Sequence, residues 1–248
     1  MVILSSSSKT LDFESEYSAK ISPTDPVFKK QGAAIQKQLA AYSAEELEHV
    51  LDCSSKIALL NFDRMQAWKT TAARPAIFSY KGDVFKPLTP ESYSVEQSEY
   101  AQQSVHIMSG LYGVVRAFDL IKPYRLEMRL SLDNFGKLNI YWRDDITTYL
   151  NQQIKKDNHP FVLNIASKEY SSAVDEQQLS IPMVHVDFKE RKEDGSLRTV
   201  AIYAKQARGM MMEYCIQHTV TTLDEVKKFS AGGYSFAGEK DNHILFVR

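Results

Sequence analysis

The sequence predicts a single α+β domain over residues 1–248, with a mixed sheet flanked by helices. Stretches with helical spacing alternate with short apolar runs typical of buried strands, and neither type is confined to one half of the chain. No internal repeat, linker or break in composition divides the 248 residues. With 44% hydrophobic and 25% charged residues, the composition is that of a soluble globular protein, which excludes disorder as the overall state.

In the first half of the chain, one buried strand precedes a series of helices. Val2-Ile3-Leu4 predicts the strand, because these apolar residues lead directly into a polar segment. Ser43 with Glu46, and Ser94 with Gln97, are capping-box patterns that begin helices. The spacing of apolar residues defines the other elements. The predicted elements are a strand at 2–4, helices at 43–51 and 57–71, a strand at 76–80, and helices at 94–109 and 113–122.

The second half contains strands between two longer helices. Residues 143–156 have helical spacing, whereas residues 161–165 form a short apolar run typical of a buried strand. Asp194-Gly195 predicts the turn of a β-hairpin. Apolar residues at helical spacing then predict one face of a long helix. The predicted elements are a helix at 143–156, a strand at 161–165, hairpin strands at 182–188 and 197–203, a helix at 204–218, and a strand at 244–247.

Charge and cysteine content restrict the possible functions. The 30 Lys and Arg residues balance 31 Asp and Glu residues, so a nucleic-acid binder would need a local basic patch. Cys53 and Cys215 form no CxxC pattern, which predicts reduced, structural thiols. No apolar run approaches the ~18 residues of a membrane helix, and no signal-peptide pattern is present. The sequence therefore predicts a cytoplasmic protein.

Positive charge occurs where a helix start favours an anion. Lys205 and Arg208 lie one turn apart near the start of the helix predicted at 204–218. Cations there oppose the helix dipole at a cost of about 0.3–1 kcal/mol each, which a bound anion would offset. A solvated helix edge is the alternative interpretation.

The polar segment after the first strand is a second candidate for anion binding. It contains four serines followed by Lys9, and it could hold a phosphate, although the glycines of a P-loop are absent. Ser6 to Lys9 also fits the S-x-x-K pattern, but the companion motifs of a serine acyl-enzyme are missing. On sequence form alone, an ordinary polar turn is favoured.

A glycine-containing hairpin is the third candidate. Ser109, Gly110, Leu111 and Gly113 are predicted to join two short helices, with Arg116 on the first turn of the second helix. Glycines let backbone amides approach a ligand closely, and successive amides can form an anion nest. In the alternative interpretation the glycines only cap the helices.

An ordered set of motifs across nearly the whole chain resembles the YaaA peroxide-stress family. Each motif is weak alone, but their order is specific. The resemblance implies a cytoplasmic bacterial protein that limits oxidative, iron-linked damage during hydrogen peroxide stress and binds double-stranded DNA. The motifs are Ser6 to Thr10, Lys81 to Phe85, Met108 to Arg116, Pro123 to Met128, Tyr141-Trp142, Asn164 to Ser167, Tyr203 to Met210 and Gly233 to Phe236.

The resemblance further implies a helix-hairpin-helix element beside a positively charged cleft. The hairpin corresponds to Ser109 through Gly113, although the usual glycine spacing differs, and Gln206 replaces a lysine expected in the basic patch. Contacts to phosphates would hold a duplex without reading its sequence. The candidate cations of the cleft are Lys9, Lys81, Arg116, Arg125, Lys205 and Arg208.

An enzyme that acts on a nucleotide or modified nucleoside is the alternative to a DNA-binding protein. Ser6, Lys9, Asp83 and Glu127 could provide phosphate binding and acid-base chemistry if they share a cleft. No nucleophile with an adjacent base is evident, so the sequence favours a binding protein. Glu46 to His49 is a single E-x-x-H without a second copy, so we expect no metal, no other cofactor and a monomer.

Overall fold

The computed structural model describes residues 1–248 and contains ten α-helices and fourteen strands. The helices are α1 (Lys29–Leu39), α2 (Ala44–Val50), α3 (Ser55–Gln66), α4 (Ala76–Ser79), α5 (Val95–Ser104), α6 (Leu138–Tyr141), α7 (Arg143–Asp157), α8 (Lys168–Ser171), α9 (Ala201–Gln217) and α10 (Leu223–Lys227). The strands are β1 (Val2–Ser6), β2 (Thr10–Leu11), β3 (Arg74–Pro75), β4 (Tyr80–Lys81), β5 (Val105–Ser109), β6 (Gly113–Arg116), β7 (Leu120–Ile121), β8 (Ser131–Leu132), β9 (Gly136–Lys137), β10 (Val162–Asn164), β11 (Met183–Arg191), β12 (Leu197–Arg198), β13 (Ser235–Lys240) and β14 (His243–Val247).

The main sheet has eight strands and is mixed, as the sequence predicts. Its order is β13-β14-β11-β10-β1-β5-β6, and β12 pairs with β11 outside this path. The strands β14, β11, β10, β1 and β5 run parallel to one another, whereas β6 and β13 are antiparallel to their neighbours. The first strand lies in the centre, where Leu4 pairs with His106 on one side and Asn164 on the other. Its apolar residues are fully buried, as expected of a parallel strand covered on both faces.

One hydrophobic cluster connects the two ends of the chain. It includes Val2 near one end of the chain and Phe246 near the other, and its largest fully buried side chain is Trp142. The fold class is therefore α+β, in agreement with the sequence. None of the ten helices is both long and apolar enough to cross a membrane.

Local sequence signals locate several helices correctly. The Ser43 hydroxyl accepts from the Glu46 amide at 3.2 Å, and the Ser43 amide donates to the Glu46 carboxylate at 2.7 Å. The same reciprocal bonds join Ser94 and Gln97 at the start of α5. The capping boxes predicted for α2 and α5 are thus confirmed. The helix predicted at 143–156 is confirmed as α7.

The helices predicted at 94–109 and 113–122 are wrong in part. Helix α5 ends at Ser104, and residues 105–109 and 113–116 form the antiparallel strands β5 and β6. Val105 and Ile107 are β-branched and pair with β1, so sheet pairing overrides the helical spacing that continues from α5. The element is therefore a β-hairpin, and the predicted helix-hairpin-helix is not present at these residues.

Two further predictions need correction. Residues 76–79 form the single turn α4 rather than a strand, because the Tyr80 amide donates to the carbonyl of Ala76 and closes a helical turn, while the amides of Ala76 and Ile77 donate to carbonyls of Asp119 and Ala117. Residues 201–203 begin α9 instead of continuing a strand. The hairpin of β11 and β12 around Gly195 is confirmed, with Gly195 at a φ of 79°.

Candidate functional site

A cleft opens at the carboxyl ends of β1 and β10, in the middle of the main sheet. In the sheet, β1 and β10 are neighbours. On its other side β1 pairs with β5, and on its other side β10 pairs with β11. Open α/β sheets bind ligands at such a point, where the strand order changes direction. The cleft has a volume of about 320 Å³. Its lining consists of Ser6, Ser7, Ser8, Lys9, Thr10, Gly82, Asp83, Val84, Glu127, Ser167, Glu169, Tyr170, Lys205 and Arg208.

The hydroxyl groups of the cleft come from two segments that follow parallel strands. Ser6 accepts a hydrogen bond from the Ser167 amide at 3.0 Å, which joins the end of β1 to the segment after β10. Ser8 accepts from the amide of Thr10 at 3.1 Å. Gly82 packs against this turn at a φ of 109°, where a Cβ atom would lie 2.7 Å from the Ser8 hydroxyl oxygen. The polar segment is therefore a fixed wall of the cleft that carries hydroxyl groups.

Four of the six cations predicted for a basic cleft are paired with carboxylates. Only one of these four, Lys9, lines the cleft. Each cation lies within 4 Å of a carboxylate oxygen, which offsets part of its charge, although Lys9 and Arg125 share the single negative charge of Glu127. The pairs are Lys9 with Glu127 at 2.6 Å, Lys81 with Asp12 at 3.7 Å, Arg116 with Asp119 at 3.2 Å and Arg125 with Glu127 at 3.3 Å.

Lys205 and Arg208 remain unpaired. Both line the cleft from α9, and neither takes part in an ion pair or hydrogen bond within the protein. The Nε atom of Arg208 is buried without a partner. Desolvation lowers the pKa of the Arg208 guanidinium, and the nearby carboxylate of Asp187 raises it in part. A desolvated cation without a partner is unfavourable, so an anion bound here would restore the interactions that Arg208 loses on burial.

The cleft also contains three carboxylates, so it is not uniformly positive. Asp83 pairs with Lys86 at 3.0 Å, and Glu127 contacts Arg129 at 3.4 Å besides its two other cations. Desolvation raises the pKa of Glu169, and the charge of Glu127 raises it further. The sequence predicts a trough of six cations, but the structure places unpaired positive charge at one end of a polar cleft.

The hairpin residues lie in the protein core rather than on a binding surface. Ser109 and Leu111 are fully buried, and the Trp142 indole donates to the carbonyl of Gly110 at 2.9 Å. Gly113 has a φ of 67° and packs against the rings of Trp142. These glycines are therefore required for close packing inside the fold. The predicted anion nest is not supported at this position.

The four residues proposed for acid-base chemistry do share the cleft. Ser6, Lys9, Asp83 and Glu127 all belong to its lining. The structure thus satisfies the geometric requirement of the enzyme hypothesis, although the Lys9 amine is bound to Glu127 at 2.6 Å. Arg116, by contrast, is held by Asp119 and Thr24 and is not among the residues that line the cleft.

A side cavity of about 500 Å³ adjoins the cleft, and Arg208 lines both. His185 and His243 stack in it with ring centroids 4.7 Å apart. His185 contacts Glu176 at 3.2 Å, and His243 contacts Asp187 at 3.0 Å. These residues were not predicted as a cluster, because they lie far apart in the sequence, on β11, on β14 and, for Glu176, in the 3-10 helix Glu176–Gln178. Only the parallel register that aligns His185 with His243 brings them together.

Comparisons with known proteins agree with the motifs found in the sequence. A family model described as "Peroxide stress protein YaaA" matches residues 1–240. The chain is 38% identical to a UPF0246 protein of Flavobacterium johnsoniae, over 100% of both chains. It is 37% identical to a UPF0246 protein of Legionella pneumophila strain Lens, over 100% of this chain and 99% of the relative. A UPF0246 protein of Rickettsia bellii is 36% identical over 100% of both chains.

Proposed function

Because the chain belongs to the family of the peroxide stress protein YaaA, we propose that it acts in the peroxide stress response by binding double-stranded DNA in the cytoplasm. The protein would bind the DNA as a monomer and limit oxidative, iron-linked damage to it. The proposed contact is made by Lys205 and Arg208, which would hold backbone phosphates. The single observation that carries this proposal is that both cations line one cleft and that neither side chain forms an ion pair with a carboxylate.

The number of unpaired cations sets the expected strength of binding. Neutralising two phosphates gives a slope of about −1.8 in a plot of log K against log salt concentration, whereas six phosphates would give about −5. Phosphate contacts do not distinguish base sequences, so unrelated duplexes should bind with similar affinity. The proposal thus predicts weak, sequence-independent binding that is seen best at low salt.

Fluorescence anisotropy with two unrelated duplexes over a series of salt concentrations tests the proposal. Lys205→Ala and Arg208→Ala should each weaken binding to both duplexes and reduce the salt slope by about one unit. Lys56→Ala is the matched control for Lys205→Ala, because Lys56, like Lys205, is exposed and unpaired but lies on α3, outside the lining of the cleft. Equal losses in all three variants, or no binding by the wild type at low salt, would exclude this function.

A second candidate is an enzyme that acts on a nucleotide or modified nucleoside in the same cleft. The observation that favours it is the convergence of Ser6, Lys9, Asp83 and Glu127 at the carboxyl ends of β1 and β10. A small phosphorylated substrate would fit a concave, polar site better than a duplex would. Nucleotides should then raise the melting temperature of the wild type and be consumed over time. If a nucleotide panel produces neither effect, the enzyme hypothesis is rejected.

A further inference from the structure

Arg208 connects the cleft to the side cavity. Arg208 is part of the lining of both spaces, and its buried Nε atom has no hydrogen-bond partner in the protein. A phosphate held by Arg208 and Lys205 would therefore have the hydroxyl-lined cleft on one side and the side cavity on the other. Both volumes fall within the range of about 300–1,000 Å³ that small-molecule sites occupy.

The side cavity offers a hydrogen-bond acceptor beside this cation. Oδ2 of Asp187 is 3.0 Å from Nδ1 of His243, whereas its Oδ1 accepts no hydrogen bond from the protein. Both oxygens of Glu176, by contrast, contact Nε2 of His185 at 3.2 Å. Asp187 thus has a carboxylate oxygen to which no group of the protein donates, whereas both oxygens of Glu176 already share the Nε2 proton of His185.

The stacked histidines are held in position by an asparagine. The Asn164 side-chain amide donates to Nδ1 of His185 at 3.0 Å, and its oxygen accepts from the Ala166 amide at 2.9 Å. These bonds assign the Nε2 proton of His185 to its contact with Glu176. The ring of His185, two residues before Asp187 on β11, is therefore fixed in its orientation.

A simple anion would not interact favourably with both Arg208 and Asp187. The negative charge of Asp187 repels an anion bound nearby, so an anion alone would gain from Arg208 and lose beside the carboxylate. A molecule with a phosphate and a hydroxyl donor satisfies both groups. Dinucleotide-binding proteins use this combination, in which an acidic residue near the phosphate site accepts from a ribose hydroxyl.

We propose that the cleft and the side cavity together bind a ribonucleotide, with its phosphate on Lys205 and Arg208 and a ribose hydroxyl donating to Oδ1 of Asp187. This inference rests on the phosphate site formed by Lys205 and Arg208, which both candidate functions use. It specifies the substrate class of the second candidate, because a DNA duplex lacks the ribose 2′-hydroxyl and would not make this contact. A charge-assisted hydrogen bond of this type corresponds to a difference of about tenfold or more in affinity between a ribonucleotide and its deoxy form.

Isothermal titration calorimetry with the full chain tests the inference. The probes are orthophosphate, adenosine 5′-monophosphate and its 2′-deoxy and 3′-deoxy forms, together with ribose 5-phosphate as a probe without a base. We expect at least one deoxy form to bind about tenfold more weakly than adenosine 5′-monophosphate, and ribose 5-phosphate to bind more tightly than orthophosphate.

Two variants separate this inference from the phosphate site itself. Asp187→Ala should abolish the preference for the ribonucleotide while leaving orthophosphate affinity equal or higher, because a repelling charge is removed. Glu193→Ala is the matched control, since Glu193 is exposed in the hairpin between β11 and β12. Equal affinities for the ribonucleotide and both deoxy forms overturn the inference while orthophosphate binding persists. Absence of orthophosphate binding by the wild type instead refutes the phosphate site.

Discussion

Replacing Glu127 by glutamine is expected to change stability and anion affinity in opposite directions. The Glu127 carboxylate is 4% exposed and lies within 3.4 Å of nitrogen atoms of Lys9, Arg125 and Arg129. Arg125 is itself only 15% exposed, and its Nε atom is buried without a partner. The substitution keeps the size of the side chain but removes the single negative charge that these three cations share.

The stability loss follows from burial. Removing one member of a buried ion pair costs about 3–5 kcal/mol, and glutamine retains one acceptor oxygen, so we expect about 3 kcal/mol. For a chain of 248 residues this corresponds to a melting temperature lower by about 6–12 °C. The exposed pairs of Lys9 and Arg129 contribute little to this loss.

The affinity gain follows from charge. Glu127 lines the cleft, and its negative charge opposes an anion there. Losing a unit charge near a bound phosphate changes its binding free energy by on the order of 1 kcal/mol, or about fivefold. Lys9 would also be released from its 2.6 Å contact and could bind the phosphate.

Differential scanning calorimetry and calorimetric titration with orthophosphate measure the two effects. Asp52→Asn is the matched control, because Asp52 contacts Arg129 at 2.7 Å but is 71% exposed, and asparagine tolerates its positive φ of 47°. This control should leave both quantities nearly unchanged. Weaker phosphate binding by Glu127→Gln, at a temperature where the variant is folded, would refute the electrostatic reasoning.

Three other predictions concern the core and the walls of the cleft. Burial lowers the pKa of His106 to about 4 from its ordinary value of 6.5. As the pH falls from 6.5 to about 4, the His106 side chain takes up a proton in the unfolded state before it does so in the folded state. The free energy of unfolding should therefore fall by up to about 3 kcal/mol over this pH range. His106→Gln should flatten that decline in urea unfolding, and an unchanged profile would contradict the assignment. In Gly209→Ala, the added Cβ atom would collide with the carbonyl of Val84, so the loop that contains Val84 should be displaced. Phosphate binding measured by calorimetry should then be weaker. Retained affinity would show that this loop does not shape the cleft. Gly110→Ala places a Cβ atom 2.5 Å from the Leu126 carbonyl, so it should destabilise the fold without changing DNA affinity per folded molecule. Loss of DNA affinity at full stability would instead restore a binding role for the hairpin.

The sequence predicted correctly those elements whose structure depends on interactions between neighbouring residues. The capping boxes at Ser43 and Ser94 involve residues three positions apart, so the sequence contains the whole interaction. The first strand was predicted for a similar reason. The segment after Ser104 was wrongly predicted as helix, because one of its two pairing partners is β1, far away in the chain, and the other is β6, which was itself predicted as helix.

The candidate site was only partly predictable. Lys205 and Arg208 lie one turn apart on the same helix, so their shared position could be inferred from spacing. The neutralisation of Lys9 by Glu127 could not, because that contact depends on the course of the chain between them. The partners of His185 and His243 were missed for the same reason, since a parallel register is not encoded by neighbouring residues.

The division between paired and unpaired cations also explains how a protein with a net charge of −1 could bind a phosphate. Carboxylates paired with Lys9, Lys81, Arg116 and Arg125 offset part of the positive field of these four cations. The remaining charge on α9 acts over short distances, because exposed charges are screened within about 8–10 Å in physiological salt. A ligand must therefore enter the cleft before it gains from Lys205 and Arg208. Discrimination among polyanions would consequently depend on which phosphates can reach the carboxyl ends of β1 and β10, rather than on total charge.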